Sequence, residues 1–216
     1  MHKYLISIPW WIRKLFPHYT WSLKNSEQRV YLTFDDGPHP TITPWVLDEL
    51  EKYNAKATFF CIGKNVAQHP RVYQRILDEG HSVGNHTHTH LDGWKTNPER
   101  YTKDVQQAAQ YIDSRLFRPP YGKMTKSQFK AIREALSEEV DVIMWSVLSG
   151  DFDDSFSPQQ CLRNVSRNAR SGSIVVFHDS EKAYHNLFAV LPQALLYLTE
   201  KGFVLDKMGS EVTINN

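Results

Sequence analysis

Two aspartates stand side by side in the stretch "VYLTFDDGPHP", residues 30–40, directly after an alternating apolar run and directly before a glycine and a proline. Turn chemistry alone accommodates them, because Asp, Gly and Pro all favour turns. Paired carboxylates at the end of a buried strand have a second use, since one can ligate a divalent ion while the other moves a proton. Three histidines, His86, His88 and His90, follow within "NHTHTHLDG", a density that core packing does not account for. On a helical turn His86 and His90 share a face and His88 points away, whereas on an extended strand all three share one. Two imidazoles and one carboxylate make a three-ligand set with a position left open for water, as at a catalytic zinc or a similar divalent ion. Either Asp35 or Asp36 can supply the carboxylate and leave the other as the base.

Further groups have the right chemistry to serve such a centre. Arg118 opens "RPPYG", which by itself reads as a rigid turn; a guanidinium beside a carboxylate keeps it ionised. His178 closes the apolar run "SIVVF" and can protonate a departing amine if a carboxylate such as Asp151 holds its charge.

These residues need a frame that brings them together. The runs "VYLTF", "ATFFCIG", "HSVGN", a short piece near Phe117, "VIMWSV", "SIVVF" and "FVL" alternate with amphipathic segments, a βα pattern. Thr43-Pro44, Asn97-Pro98 and Ser157-Pro158 each offer a cap followed by a proline suited to the first helical position. Thr125 with Gln128 and Ser157 with Gln160 have capping-box spacing, and Gly80 and Gly202 follow helical stretches. About seven strands, several apolar throughout, predict an α/β fold with a parallel sheet closed or nearly closed into a barrel. Reacting groups in such barrels lie on the loops after the strands' carboxyl ends, and every candidate above follows a strand-like run.

Composition narrows the class. The 216 residues suit one domain, 41% hydrophobic and 23% charged residues indicate an ordinary globular chain, and a net charge of +1 argues against nucleic acid as a partner. Cys61 and Cys161 lie in an apolar run and a helical stretch and read as buried, reduced thiols. No transmembrane segment or secretion signal is read, because Arg13 and Lys14 interrupt the first apolar run; the expected location is therefore cytoplasmic. Trp11 with Leu15 and Ile12 with Phe16 have helical spacing and predict an amphipathic segment packed on the body, with a membrane-surface helix as the alternative.

Taken in order, "TFDDGP", "HTHTH", "RPPYG", "GDF" and "VFHD" closely resemble the five motifs of the polysaccharide deacetylases of carbohydrate esterase family 4, the NodB-homology family, over about residues 29–206. The resemblance implies an irregular (β/α) barrel of about seven strands and metal-dependent hydrolysis of N-acetyl groups on N-acetylglucosamine-containing glycans. It implies Asp36, His86 and His90 as metal ligands, Asp35 as general base, His178 as general acid, Arg118 orienting Asp35 and Asp151 tuning His178. Tyr121 would lend a backbone N–H to the oxyanion, while His88, no ligand in the family pattern, belongs behind the ligands or in solvent. The metal implied is usually zinc, with cobalt, nickel or another divalent ion in some members.

Three positions depart from the family motifs, the first being Leu91, where a proline often follows the last metal histidine. Phe152 stands where a tryptophan is usual, which removes an indole N–H from the acetyl pocket. Val176 replaces a leucine, a one-methylene change there worth about 1 kcal/mol. The chain then divides into an aromatic-rich segment, 1–28, a deacetylase domain, 29–208, and a tail, 209–216. The partner is an acetylated amino-sugar oligomer or polymer and a monomer is the default. A carbohydrate- or metal-binding relative with weak turnover, and an O-acetyl esterase acting on xylan, are the alternatives.

Overall fold

The computed structural model describes residues 5–23, 27–137 and 139–209; apart from Gly209, the expected C-terminal tail lies outside the described residues. Among the described residues nine strands form one parallel sheet wrapped by helices. In chain order they are β1 (Tyr19–Thr20), β2 (Arg29–Asp35), β3 (Ala57–Cys61), β4 (Ser82–Asn85), β5 (Leu116–Phe117), β6 (Asp141–Ile143), β7 (Val147–Leu148), β8 (Ile174–His178) and β9 (Val204–Leu205). Neighbours run β1-β6-β5-β4-β3-β2-β8-β7, and β9 adds to the start of β2. The sheet's two ends, β1 and β7, are spanned by the N-terminal segment, where Ser7 bridges Val147 and the Ile8 N–H donates to the Ser146 carbonyl. The result is the irregular, incompletely closed barrel that the βα alternation predicts.

All seven expected runs contain strands, and the two additional ones have physical causes. The run "VIMWSV" holds two strands because the buried Arg118 guanidinium takes the carbonyls of Ile143 and Met144. At the same place the chain changes neighbours: the Met144 N–H donates to Thr20 on β1, and the Ser146 N–H to Ile174 on β8. Asp151 therefore follows β7. The other addition is β1, contributed by the segment before residue 29.

Helix boundaries follow their caps. α5 (Pro98–Ala109) starts at Asn97, whose side chain accepts from the Arg100 N–H; α6 (Lys126–Ala135) and α7 (Pro158–Asn168) carry complete capping boxes from Thr125 and Ser157. Gly80 and Gly202 have positive φ, 78° and 79°, just past helix ends. Thr43 departs from expectation, since it lies inside α2 (Ile42–Glu51) with Thr41 at the cap position. Its hydroxyl is used by a buried carboxylate instead, as described below.

Strand alternation separates an outward-facing core from a cluster inside the barrel. Val30, Leu32, Phe34, Phe59 and Phe177 face outward into the main core beneath α2, α7 and α8 (Tyr184–Glu200). Tyr31, Phe60, Leu116, Ile143, Ile174 and Met208 pack together inside the barrel. Cys61 and Cys161 are buried free thiols. The N-terminal helix α1 (Trp10–Leu15) buries none of its residues fully: Trp10, Trp11, Leu15 and Phe16 are exposed, and the segment is attached through Ile8, Ile12 and Trp21. Six residues make a helix too short to lay a full apolar stripe on the body. No helix among the described residues is long and apolar enough to cross a membrane.

Candidate active site

The inward side of β2 and β8 sets the first pair of groups. Asp35 and His178 are direct neighbours in the ladder and both end their strands, so parallel register alone places them side by side on the carboxyl rim. Asp35 is 4% exposed, and its Oδ1 accepts a 2.6 Å bond from Nη1 of Arg118. That arginine is wholly buried. Besides Asp35 it donates to Thr33 Oγ1 at 2.7 Å, to Ile143 O at 3.1 Å and to Met144 O at 3.0 Å, and its Cζ lies 4.0 Å from the Phe60 ring centroid. Burial lowers the guanidinium's pKa while Asp35 opposes that; among the described residues the aspartate is the one carboxylate bonded to it.

Asp36 diverges from Asp35 because the backbone turns over between them. Its φ is 81°, a conformation costly for a residue with a Cβ, at about 1–3 kcal/mol. Three contacts enforce it. The Asp36 carbonyl accepts from Asn65 Nδ2, the Gly37 carbonyl accepts from the Ile62 N–H, and the Gly37 N–H donates to Asp179 Oδ1. A Cβ on Gly37 would lie 2.1 Å from Asp179 Oδ2, so only glycine fits. Asp179 is fully buried and also accepts from the Thr43 hydroxyl, which is the task that draws Thr43 away from capping. Burial lifts the Asp179 pKa to about 7 against those hydrogen bonds, and the charge of Asp36 adds to the rise.

So directed, Asp36 meets two histidines. Its Oδ1 lies 3.7 Å from His86 Nε2 and 3.2 Å from His90 Nε2, and the three ligand atoms are within 4.8 Å of one another. His86 Nδ1 is 2.7 Å from the Arg118 carbonyl; because a carbonyl only accepts, Nδ1 carries the proton and Nε2 presents its lone pair. Burial lowers the His86 pKa to about 4, which keeps the ring neutral. Burial opposes ionisation of Asp36, yet the adjacent His90 and the charge of His178 hold its carboxyl well below the usual range. Asp36 Oδ1 is buried with no hydrogen-bond donor. A buried anionic oxygen facing two imidazole nitrogens is a donor set that suits a divalent cation.

The geometry also resolves the third histidine. Thr87 and His90 have positive φ, 64° and 57°, so the segment is neither helix nor strand. His88 is buried, stacked 5.8 Å from Tyr111, and outside the triplet; it is thus not in solvent. Asp104 of α5 shapes this loop by accepting from the His88 N–H, the Thr89 N–H and the Thr89 hydroxyl, and Asn85 accepts from the Thr87 N–H. Spacing in the chain carries no signal for Asp104, sixteen residues from His88. Replacing Asp104 by Ala is expected to weaken divalent-cation binding about 10–100-fold, the scale for loss of a residue that orients ligands; competition with a chromogenic chelator measures this, and unchanged affinity would refute the role.

The remaining candidates close the rim. His178 Nδ1 lies 2.9 Å from Asp151 Oδ1, whose other oxygen accepts from the His178 N–H, and Ser149 donates to Asp151 Oδ1. Burial disfavours His178's charge, but the charge and hydrogen bond of Asp151, with Asp36 and Asp35, overcome it and raise the pKa to about 9. The Phe152 ring sits edge-on to His178 at 4.8 Å, and Val176 shares His178's strand face two residues earlier. Tyr121 has φ 60° and its ring packs against His90 at 4.8 Å. Every predicted site residue lies on this rim or in its wall.

A family model described as polysaccharide deacetylase matches residues 22–138. A peptidoglycan-N-acetylglucosamine deacetylase of Bacillus cereus is 36% identical over 191 residues, which is 85% of this chain and 88% of that one. A chitooligosaccharide deacetylase of a Bradyrhizobium species is 38% identical over 157 residues, 69% of this chain and 70% of that one. Among solved structures, a peptidoglycan N-acetylglucosamine deacetylase in complex with 4-naphthalen-1-yl-N-oxidanyl-benzamide matches with a TM-score of 0.77 and 31% identity, covering 90% of this chain and 92% of that one. The family match ends before Asp151 and His178, whose pairing is seen directly in the geometry.

Proposed function

The chain belongs to the polysaccharide deacetylase family, and from that premise we propose how this molecule removes the acetyl group from the N-acetylglucosamine units of a glycan. It is a hydrolase acting on a carbon–nitrogen bond outside peptides. The observation that carries the reading is the Asp36–His86–His90 triplet flanked on one rim by an arginine-bound carboxylate and a carboxylate-bound histidine.

The proposed division of labour follows the bonds each group makes. Asp36, His86 and His90 hold the ion, for which zinc suits two imidazoles and one carboxylate. When bound, the ion supplies a Lewis acid that acidifies water and polarises the amide carbonyl. Asp35 takes the proton from the attacking water, and its hydrogen bond from Arg118 aims it. The Tyr121 N–H supports the oxyanion of the tetrahedral carbon. His178, with Nδ1 committed to Asp151, uses Nε2 to protonate the departing nitrogen as the C–N bond breaks, giving acetate and a free amine. Val176 and Phe152 shape the pocket for the acetyl methyl.

One consequence concerns pH. A general acid works while protonated, so activity falls as pH rises through its pKa. Asp151→Asn removes the largest favourable influence on His178's charge and leaves burial to act against it, so the alkaline limb of kcat/KM is expected to move to lower pH. A limb that stays in place would reject His178 as the acid.

The substrate reading is tested by acetate release from N-acetylglucosamine oligomers, peptidoglycan and acetylated xylan compared at equal acetyl concentration. N-acetylated glycans are expected to be hydrolysed and the O-acetylated polymer to be poor; the reverse ranking would replace the amidase reading with an esterase.

A further inference from the structure

Beyond the metal triplet, the geometry points to a sugar-stacking subsite centred on Trp94, which binds the pyranose next to the one being deacetylated. It rests on the reading of this rim as a glycan deacetylase.

Trp94 is 69% exposed although it belongs to a rigid turn. Asp92 Oδ1 accepts from the Trp94 N–H at 3.0 Å and the Thr96 hydroxyl donates to the Asp92 carbonyl. The turn is also fastened to the loop after β5. Asp92 Oδ2 accepts from Lys123 Nζ at 3.0 Å, Gln128 Nε2 donates to the carbonyls of Gly93 and Thr96, and a Cβ on Gly93 would lie 2.2 Å from the Lys123 carbonyl oxygen. Trp94 and Tyr121, 69% and 60% exposed, are linked through the Lys123 ammonium that lies by both rings, so they form one surface rather than a single exposed ring.

Position gives the surface its ligand. Lys123 Nζ lies 5.3 Å from the Trp94 ring centroid and 5.4 Å from that of Tyr121, whose ring in turn packs on the proposed metal ligand His90. A continuous path therefore runs from the metal site through Tyr121 and Lys123 to the exposed indole. A pyranose offers an apolar C–H face and a rim of hydroxyls; a largely exposed indole with an ammonium over its ring supplies a stacking surface for the first and a donor for the second. The exposed Trp10 and Trp11 lie on α1, outside this path.

The test combines Trp94→Ala with an N-acetylglucosamine tetramer as probe. Calorimetric binding of the tetramer to zinc-loaded protein carrying Asp35→Asn is expected to weaken about ten-fold when Trp94→Ala is added, and Trp94→Phe to preserve most of the affinity. In the catalytically intact background, the ratio of kcat/KM on the tetramer to that on 4-nitrophenyl acetate is expected to fall by about ten-fold. Unchanged tetramer binding, or an unchanged ratio, overturns the subsite. Trp94-dependent binding by a protein that releases no acetate would sustain the subsite and refute the proposed activity. Acetate release that is the same with and without Trp94 would do the opposite.

Discussion

Asp35→Asn is expected to keep one zinc ion per chain and to lose about three orders of magnitude in kcat, within the range of a general base. The substitution is nearly isosteric, and its amide oxygen can still accept from Arg118, but it cannot take a proton from water. Asp36, His86 and His90 are untouched, and because the backbone turns over at Asp36 their geometry does not depend on the Asp35 charge. Acetate release combined with elemental analysis checks both halves. Activity within ten-fold of wild type would remove Asp35 from the base role, and loss of zinc would show that the two aspartates share the ion.

Arg118→Met is expected to destabilise the metal-free protein by about 3–5 kcal/mol, the scale for leaving one partner of a buried ion pair uncompensated. Methionine fills space beside Phe60 but supplies no donor, so Asp35, Thr33 and the carbonyls of Ile143 and Met144 all lose partners they have now. Those carbonyls sit at the break between β6 and β7, so the local backbone loses its anchor along with the carboxylate. Urea unfolding with chelator present measures the loss. Adding Asp35→Asn to Arg118→Met should recover part of it, because no buried charge is then stranded; a single variant within 1 kcal/mol of wild type would contradict the structural role.

What the chain displays in linear order was readable, and what depends on contact across the fold was not. Asp35, Asp36, His86, His90, Arg118, Asp151 and His178 end strands or sit in short motifs, and a βα alternation sends all such positions to one rim. The choice among the three histidines needed backbone detail, since positive φ at Thr87 and His90 belongs to no periodic pattern. Thr43-Pro44 has the form of a helix start, yet Asp179, 136 residues away, claims the hydroxyl. Asp104 and Asn65 act on backbone groups of other elements and look like ordinary helix-surface residues in the sequence. The aromatic N-terminus has helical spacing, but spacing does not reveal whether a matching surface exists, and here the tryptophans remain exposed.

The most direct test of the account is acetate released by the wild-type protein from an N-acetylglucosamine tetramer, measured with the amine formed, after chelation and again after zinc is restored. The account predicts acetate and amine in equal amounts, loss of both on chelation and recovery with one equivalent of zinc. Undiminished release from metal-stripped protein, or no release from protein holding stoichiometric zinc, would contradict it.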